Sequence, residues 1–184
     1  MRAAAGALRR GDDRPDGTSG LRQGGADSMT TRAWKTPRGP APALDFERLA
    51  AMVENCAFHK WLGVKLRALD DAGIAIEMPW RAEFESDPVV GYTHGGILAS
   101  LIDLAADYAV AARLGRGVPT VDMHVDYHRA AMPGPLVAHA AVVKLGGTLG
   151  TAEARIYDER DNLIASGRAL FMTRAPETTK EATT

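Results

Sequence analysis

Cysteine is nearly missing from this chain of 184 residues, where Cys56 stands alone. An internal disulfide is therefore excluded, and a reducing compartment, the cytoplasm, is the expected setting. Cys56 itself is expected to act as a small buried hydrophobe. Charge of one sign is also lacking: 22 Lys and Arg balance 23 Asp and Glu, for a formal charge of −1. No basic field is available to hold nucleic acid or an anionic membrane surface. Long uncharged apolar runs are absent too. The longest candidate, Gly95 to Ala112, is broken by Asp103 and Asp107, which excludes a membrane-spanning helix there. The glycines of "GRALF" and "LGGTLG" lack phosphate-loop spacing and a following Lys-Ser/Thr, so nucleoside triphosphate binding has no support.

What is present is a composition 46% apolar over 184 residues, enough for one well-buried domain. Residues 1–42 stand apart. They are loaded with Gly, Arg, Asp and Pro and show almost no apolar periodicity, so an unstructured extension is expected there, with a second short tail at 176–184. The first 28 residues mix five arginines with four aspartates and have no apolar segment, which fits neither a secretory signal nor an acid-poor transit peptide. Met29 is a plausible alternative start.

The folded domain is expected over 43–175. "LDFERLAAMVENC" (44–56) spaces its apolar residues for a short amphipathic helix. "GVKLRALDDAGIAIEMPW" (63–80) alternates apolar and polar residues around Asp70-Asp71-Ala72-Gly73, as two antiparallel strands joined by a tight turn would. A loop with Glu85, Asp87 and Pro88 follows. "VGYTHGGILASLIDLAADYAVAA" (90–112) is rich in Ala and Leu, without internal proline, and apolar around most of its circumference. That pattern predicts a helix buried inside the domain and ended by Gly115 and Gly117. Strands at 120–130, 136–146, 150–158 and 163–174 are separated by Pro133-Gly134, Gly146-Gly147 and Asp161-Asn162. Their short connections predict an antiparallel meander that curls around the helix, an α+β architecture.

This order of elements, together with "G-x-x-H-G-G" at Gly91, His94, Gly95 and Gly96, an acid at Asp103 and "VDM" at 121–123, resembles the hotdog fold. Within it, the chain is similar to the acyl-CoA thioesterases of the phenylacetate-pathway type. The resemblance runs from about Phe46 to Arg174. It implies a long central helix wrapped by a curved antiparallel sheet, thioester hydrolysis, homodimers assembling to tetramers, and no metal or bound cofactor, coenzyme A being part of the substrate. It also implies Asp103, Gly95, His94 and Thr120 as catalytic-site residues and Gly96 as a substrate contact. One position departs from the pattern: Pro88 stands where the family usually carries Asn or Gln, and the adjacent Asp87 is the candidate to take over that substrate contact.

The chemistry of these residues fits the reaction. A helix N-terminus with unpaired N–H groups at Gly95 and Gly96 suits a developing oxyanion, and glycine permits close approach. Asp103 serves as nucleophile or as base toward water, and a thiol of pKa about 8.5 leaves without a general acid. Gly95 and Asp103 are eight residues apart, roughly 12 Å along one helix. Two antiparallel copies are therefore expected to share each site, with both carboxylates facing the cleft between them. Simpler roles compete: arginine-paired or solvent-facing aspartates, His94 as a helix cap, and Thr120 as an ordinary strand residue. Asp122, His124, Asp126 and His128 alternate with Val121, Met123, Val125 and Tyr127, which reads as the polar face of a strand in preference to a metal site. A hotdog enoyl-CoA hydratase and a non-catalytic acyl-CoA-binding domain are the rival functions.

Overall fold

A computed structural model of the protein describes residues 41–175. The expectations for 1–42, for Met29 and for 176–184 fall almost wholly outside that range. Asp45 opens the first helix by accepting the Arg48 N–H at 2.8 Å, and α1 then runs over Phe46–Asn55 with Leu49 and Val53 buried. Cys56 breaks the helix, and a second short helix, α2 (Ala57–Leu62), follows at once and ends on Gly63 in the left-handed region at φ 75°. The expectation for Cys56 is corrected here: it is exposed, because it sits at the joint between α1 and α2, whose buried positions are Leu49, Val53 and Leu62.

Strands β1 (Lys65–Leu69) and β2 (Ile74–Met78) form the expected hairpin. Its turn is held by Asp70, whose carboxylate accepts the Ala72 and Gly73 N–H groups at 2.7 and 2.9 Å. A short 3-10 turn, Ala82–Phe84, leads to the long helix α3, Gly95–Leu114. Buried residues occur on every turn of α3, as its uniform apolar composition requires. Gly115 ends it at φ 77°, and the Ala112 carbonyl is capped by the N–H groups of Ala43 and Leu44. Strands β3 (Thr120–Tyr127), β4 (Leu136–Leu145), β5 (Leu149–Tyr157) and β6 (Leu163–Met172) complete one six-stranded antiparallel sheet.

The order of that sheet is β1-β2-β4-β5-β6-β3. Only β4, β5 and β6 form a meander; β3 pairs with β6 and β4 with β2, so the expected adjacency of β3 and β4 is corrected. Length explains it. Residues 128–135 separate the two strands, and eight residues reach roughly 26 Å, ample for the three strand spacings of about 14 Å in all. The crossover places β3 at an edge of the sheet, next to the helix it follows.

Small side chains let helix and sheet approach. Ala138, Ala140, Ala152, Ala154, Ala165 and Ala169 are buried in the strands, and Ala105, Ala106, Ala109, Ala111 and Ala112 in α3. At Gly167 of β6 an added Cβ would lie 2.5 Å from Ile102 Cγ2. The larger core residues, including Phe84, Leu101, Ile102 and Phe171, fill the rest of the same apolar cluster.

Candidate active site

The N-terminus of α3 is built by its flanking chain. His94 is extended at φ −60°, ψ 135°, and its Nδ1 accepts the Gly96 N–H at 2.9 Å, so His94 is the helix cap and Gly96 is engaged by it. The His94 N–H donates to the Phe84 carbonyl at 2.7 Å, and the Thr93 N–H to the Ala131 carbonyl at 2.8 Å, which fixes the entry of the chain. The Gly95 N–H, at the first helical position, has no hydrogen-bond partner among the described residues. A donor that strand alternation alone could not single out, Tyr127, completes this end: its hydroxyl donates to the Gly95 carbonyl at 3.0 Å, and its ring lies against Gly95.

Asp103 lies two turns further along α3 and is half-buried. Its Oδ1 accepts the Thr120 hydroxyl at 2.8 Å, so the structure brings together two residues that are 17 apart in sequence. Asp107, one turn beyond, accepts the Val118 N–H at 3.3 Å. The partners found for the two carboxylates are thus a hydroxyl and a peptide N–H from the segment that opens β3.

Burial pushes the Asp107 carboxyl up to about 6, the Asp103 charge adds to the rise, and the Val118 N–H opposes it. A carboxyl whose folded pKa lies above its unfolded value contributes most to stability below pH 3.8, and that contribution is lost as pH rises through about 6. Asp107→Asn, which keeps an acceptor for Val118 and removes the buried charge, is therefore expected to stabilise the fold at pH 8 by about 1–2 kcal/mol after allowance for partial exposure. Thermal melts of both proteins should differ by a few degrees at pH 8 and converge at pH 4; a lower melting temperature for the variant at pH 8 would contradict this.

Asp87 is placed differently from the other site candidates. Its carboxylate accepts the Val89 and Val90 N–H groups at 2.7 and 3.2 Å, and its carbonyl accepts the Gly91 N–H at 2.7 Å. It caps its own turn, with Pro88 at the position of that turn where no N–H is needed and Gly91 at φ 78°. The structure does not bring Asp87 into hydrogen-bond contact with Gly95 or Asp103. On β3, His124 meets Asp126 at 3.2 Å, and just beyond the strand His128 meets Ser166 at 2.9 Å. Among the described residues no group of three or more His, Cys, Asp or Glu is arranged to hold a metal ion, and no helix is long and apolar enough to cross a membrane.

Comparison with known proteins decides the family. The thioesterase superfamily model matches residues 90–165, the stretch that carries His94, Gly95, Asp103 and Thr120. Acyl-coenzyme A thioesterase 13 of Homo sapiens is 31% identical over 126 residues, covering 66% of this chain and 89% of that protein. This chain belongs to the thioesterase superfamily. A solved structure from the same superfamily is 48% identical, covers 70% of this chain and 97% of its own, and superposes with a TM-score of 0.68. The PaaI protein of the Escherichia coli phenylacetic acid degradation operon is 26% identical, covers 71% and 92%, and superposes at 0.63. The helix wrapped by a six-stranded antiparallel sheet is accordingly a hotdog thioesterase fold, and the chain is a thioester hydrolase by family.

Proposed function

We propose that this protein hydrolyses acyl-CoA thioesters of medium-chain or aromatic acids, with Gly95 of one subunit and Asp103 of a second subunit at each site. The observation that carries the reading is the unpartnered Gly95 N–H at the positive end of α3, on the same helix as the Thr120-bound carboxylate of Asp103. The thioester carbonyl oxygen is held at the Gly95 N–H. Asp103 takes a proton from a water that attacks the carbonyl carbon, or attacks that carbon itself to give a mixed anhydride that water then hydrolyses; in either case a C–O bond forms, the C–S bond breaks, coenzyme A departs as thiolate and the free acid is released. Tyr127 holds the Gly95–Gly96 peptide by its carbonyl, next to the donor, and His94 holds the start of the helix.

The two groups lie roughly 12 Å apart along one helix, too far to serve one carbonyl. The free edge of β3 supports a homodimer that brings them together. Val121 and Tyr127 are 51% and 54% exposed there, and among the described residues only β6 pairs with the strand. Association of such dimers to tetramers, a cytoplasmic setting, and activity without metal or bound cofactor are parts of the same proposal. Substrate contacts at Gly96 and Asp87 remain in it only after movement, because both are engaged within their own chain.

Subunit complementation tests the shared site. Proline is accepted at the first helical position and lacks an N–H, and His94 already has the extended backbone that precedes proline, so Gly95→Pro removes the donor at little structural cost. Gly95→Pro and Asp103→Ala homodimers are each expected below about 1% of wild-type thiol release. The purified heterodimer, which has one intact shared site, is expected to recover about half. An inactive heterodimer would place both groups within one chain.

A further inference from the structure

The two carboxylates of α3 hold one strap of chain at two points. After Gly115 the chain turns back along the helix as Val118-Pro119-Thr120, with Val118 donating to Asp107 and Thr120 to Asp103. The pitches match: four residues of helix advance about 6 Å and two residues of extended chain about 6.6 Å. Pro119 lies between the two clamps. It has no N–H to donate and a fixed φ, and its carbonyl accepts the Met172 N–H at 2.9 Å, which ties the strap to β6.

We propose that Asp107 is a positioning residue for the hydrolysis: by holding the Val118 N–H it sets the strap so that the Thr120 hydroxyl is delivered to Asp103 Oδ1. Asp107 does not touch the reacting atoms. Thr120 occupies one lone pair of the Asp103 carboxylate and fixes its rotation, leaving Oδ2 free to act on the thioester or on water, and without the Asp107 clamp that orientation is lost. The inference rests on Asp103 being the reacting carboxylate.

A double-mutant cycle on the full-length protein tests it, with kcat and KM read by thiol release. Asp107→Ala is expected to lower kcat about tenfold with KM within about twofold of wild type. In a Thr120→Val background, where the delivered hydroxyl is already gone, the same change is expected to lower kcat less than about twofold. Asp107→Asn, which keeps the acceptor, is expected to restore kcat to within about twofold of wild type, and it covers the case in which the alanine variant fails to fold. Equal losses in both backgrounds, no loss in either, or a tenfold loss with asparagine each overturns the proposal. Asp103→Ala run alongside separates the two levels. If that variant keeps full turnover, the assignment of Asp103 fails; if it is inactive while Asp107→Ala is normal, only the role of Asp107 fails.

Discussion

Asp103→Ala is expected to lose about 10³-fold in turnover while still binding acyl-CoA with a dissociation constant within about twofold of wild type. A positioned base or nucleophile contributes roughly 10² to 10⁴ in rate, so the middle of that range corresponds to about 4 kcal/mol of transition-state stabilisation. The carboxylate is half-buried and bound by Thr120, and its truncation leaves the apolar turns around it in place, so the fold should survive. Asp103→Asn, nearly the same shape, should be just as slow, since an amide neither attacks nor takes the proton. The measurement is free-thiol release over a panel of medium-chain and aromatic acyl-CoA substrates, with calorimetry for binding. Turnover within tenfold of wild type would remove Asp103 from the reaction. Addition of water to an enoyl-CoA without thiol release would point to the hydratase chemistry instead.

The second large effect is on stability. Gly73 ends the β1–β2 turn at φ 157°, and a Cβ built there lies 2.1 Å from the Ala140 carbonyl oxygen on β4. The neighbouring pair Ile74–Ala140 sets the register between β2 and β4, so relief of the clash means separating two paired strands in the middle of the sheet. Gly73→Ala is expected to cost about 3 kcal/mol or more, above the usual range for an extra methyl in a packed site, because the opposing atom is backbone. The melting temperature should fall by roughly 6–12 °C for a domain of this size. Gly117→Ala is the matched control: nothing lies within 4 Å of its Cβ, and its melting temperature should not move by more than a degree or two. Equal melting temperatures for the two variants would refute the argument.

How far the sequence alone reached depends on the range of the interaction. The buried character of α3, the β1–β2 hairpin around Asp70 and Gly73, and the glycine stop at Gly115 are local patterns, and the structure has them. The place of β3 was not local. Short connections suggest a neighbour next in sequence, whereas residues 128–135 are long enough to cross the sheet end and pair β3 with β6 instead. Cys56 is exposed despite its residue type, because its place at a helix joint decides its environment. In the site, His94, Gly95 and Asp103 stand out through their motif, but the roles of their neighbours do not. That Asp87 turns its carboxylate onto Val89 and Val90, that Tyr127 reaches the Gly95 carbonyl and that Asp107 holds Val118 are tertiary facts with no periodic signature.

The two clamps on the strap give the connection after α3 an unusual rigidity in length. Surface connections generally accept added residues at little cost. Here the clamped span is Val118 to Thr120, and one residue inserted within it lengthens the extended chain to about 10 Å against about 6 Å of helix, which leaves a choice between satisfying Asp107 and satisfying Asp103. A turn that looks like ordinary punctuation is in this protein a ruler, and the carboxylate that measures it, Asp107, stands one helical turn from Asp103.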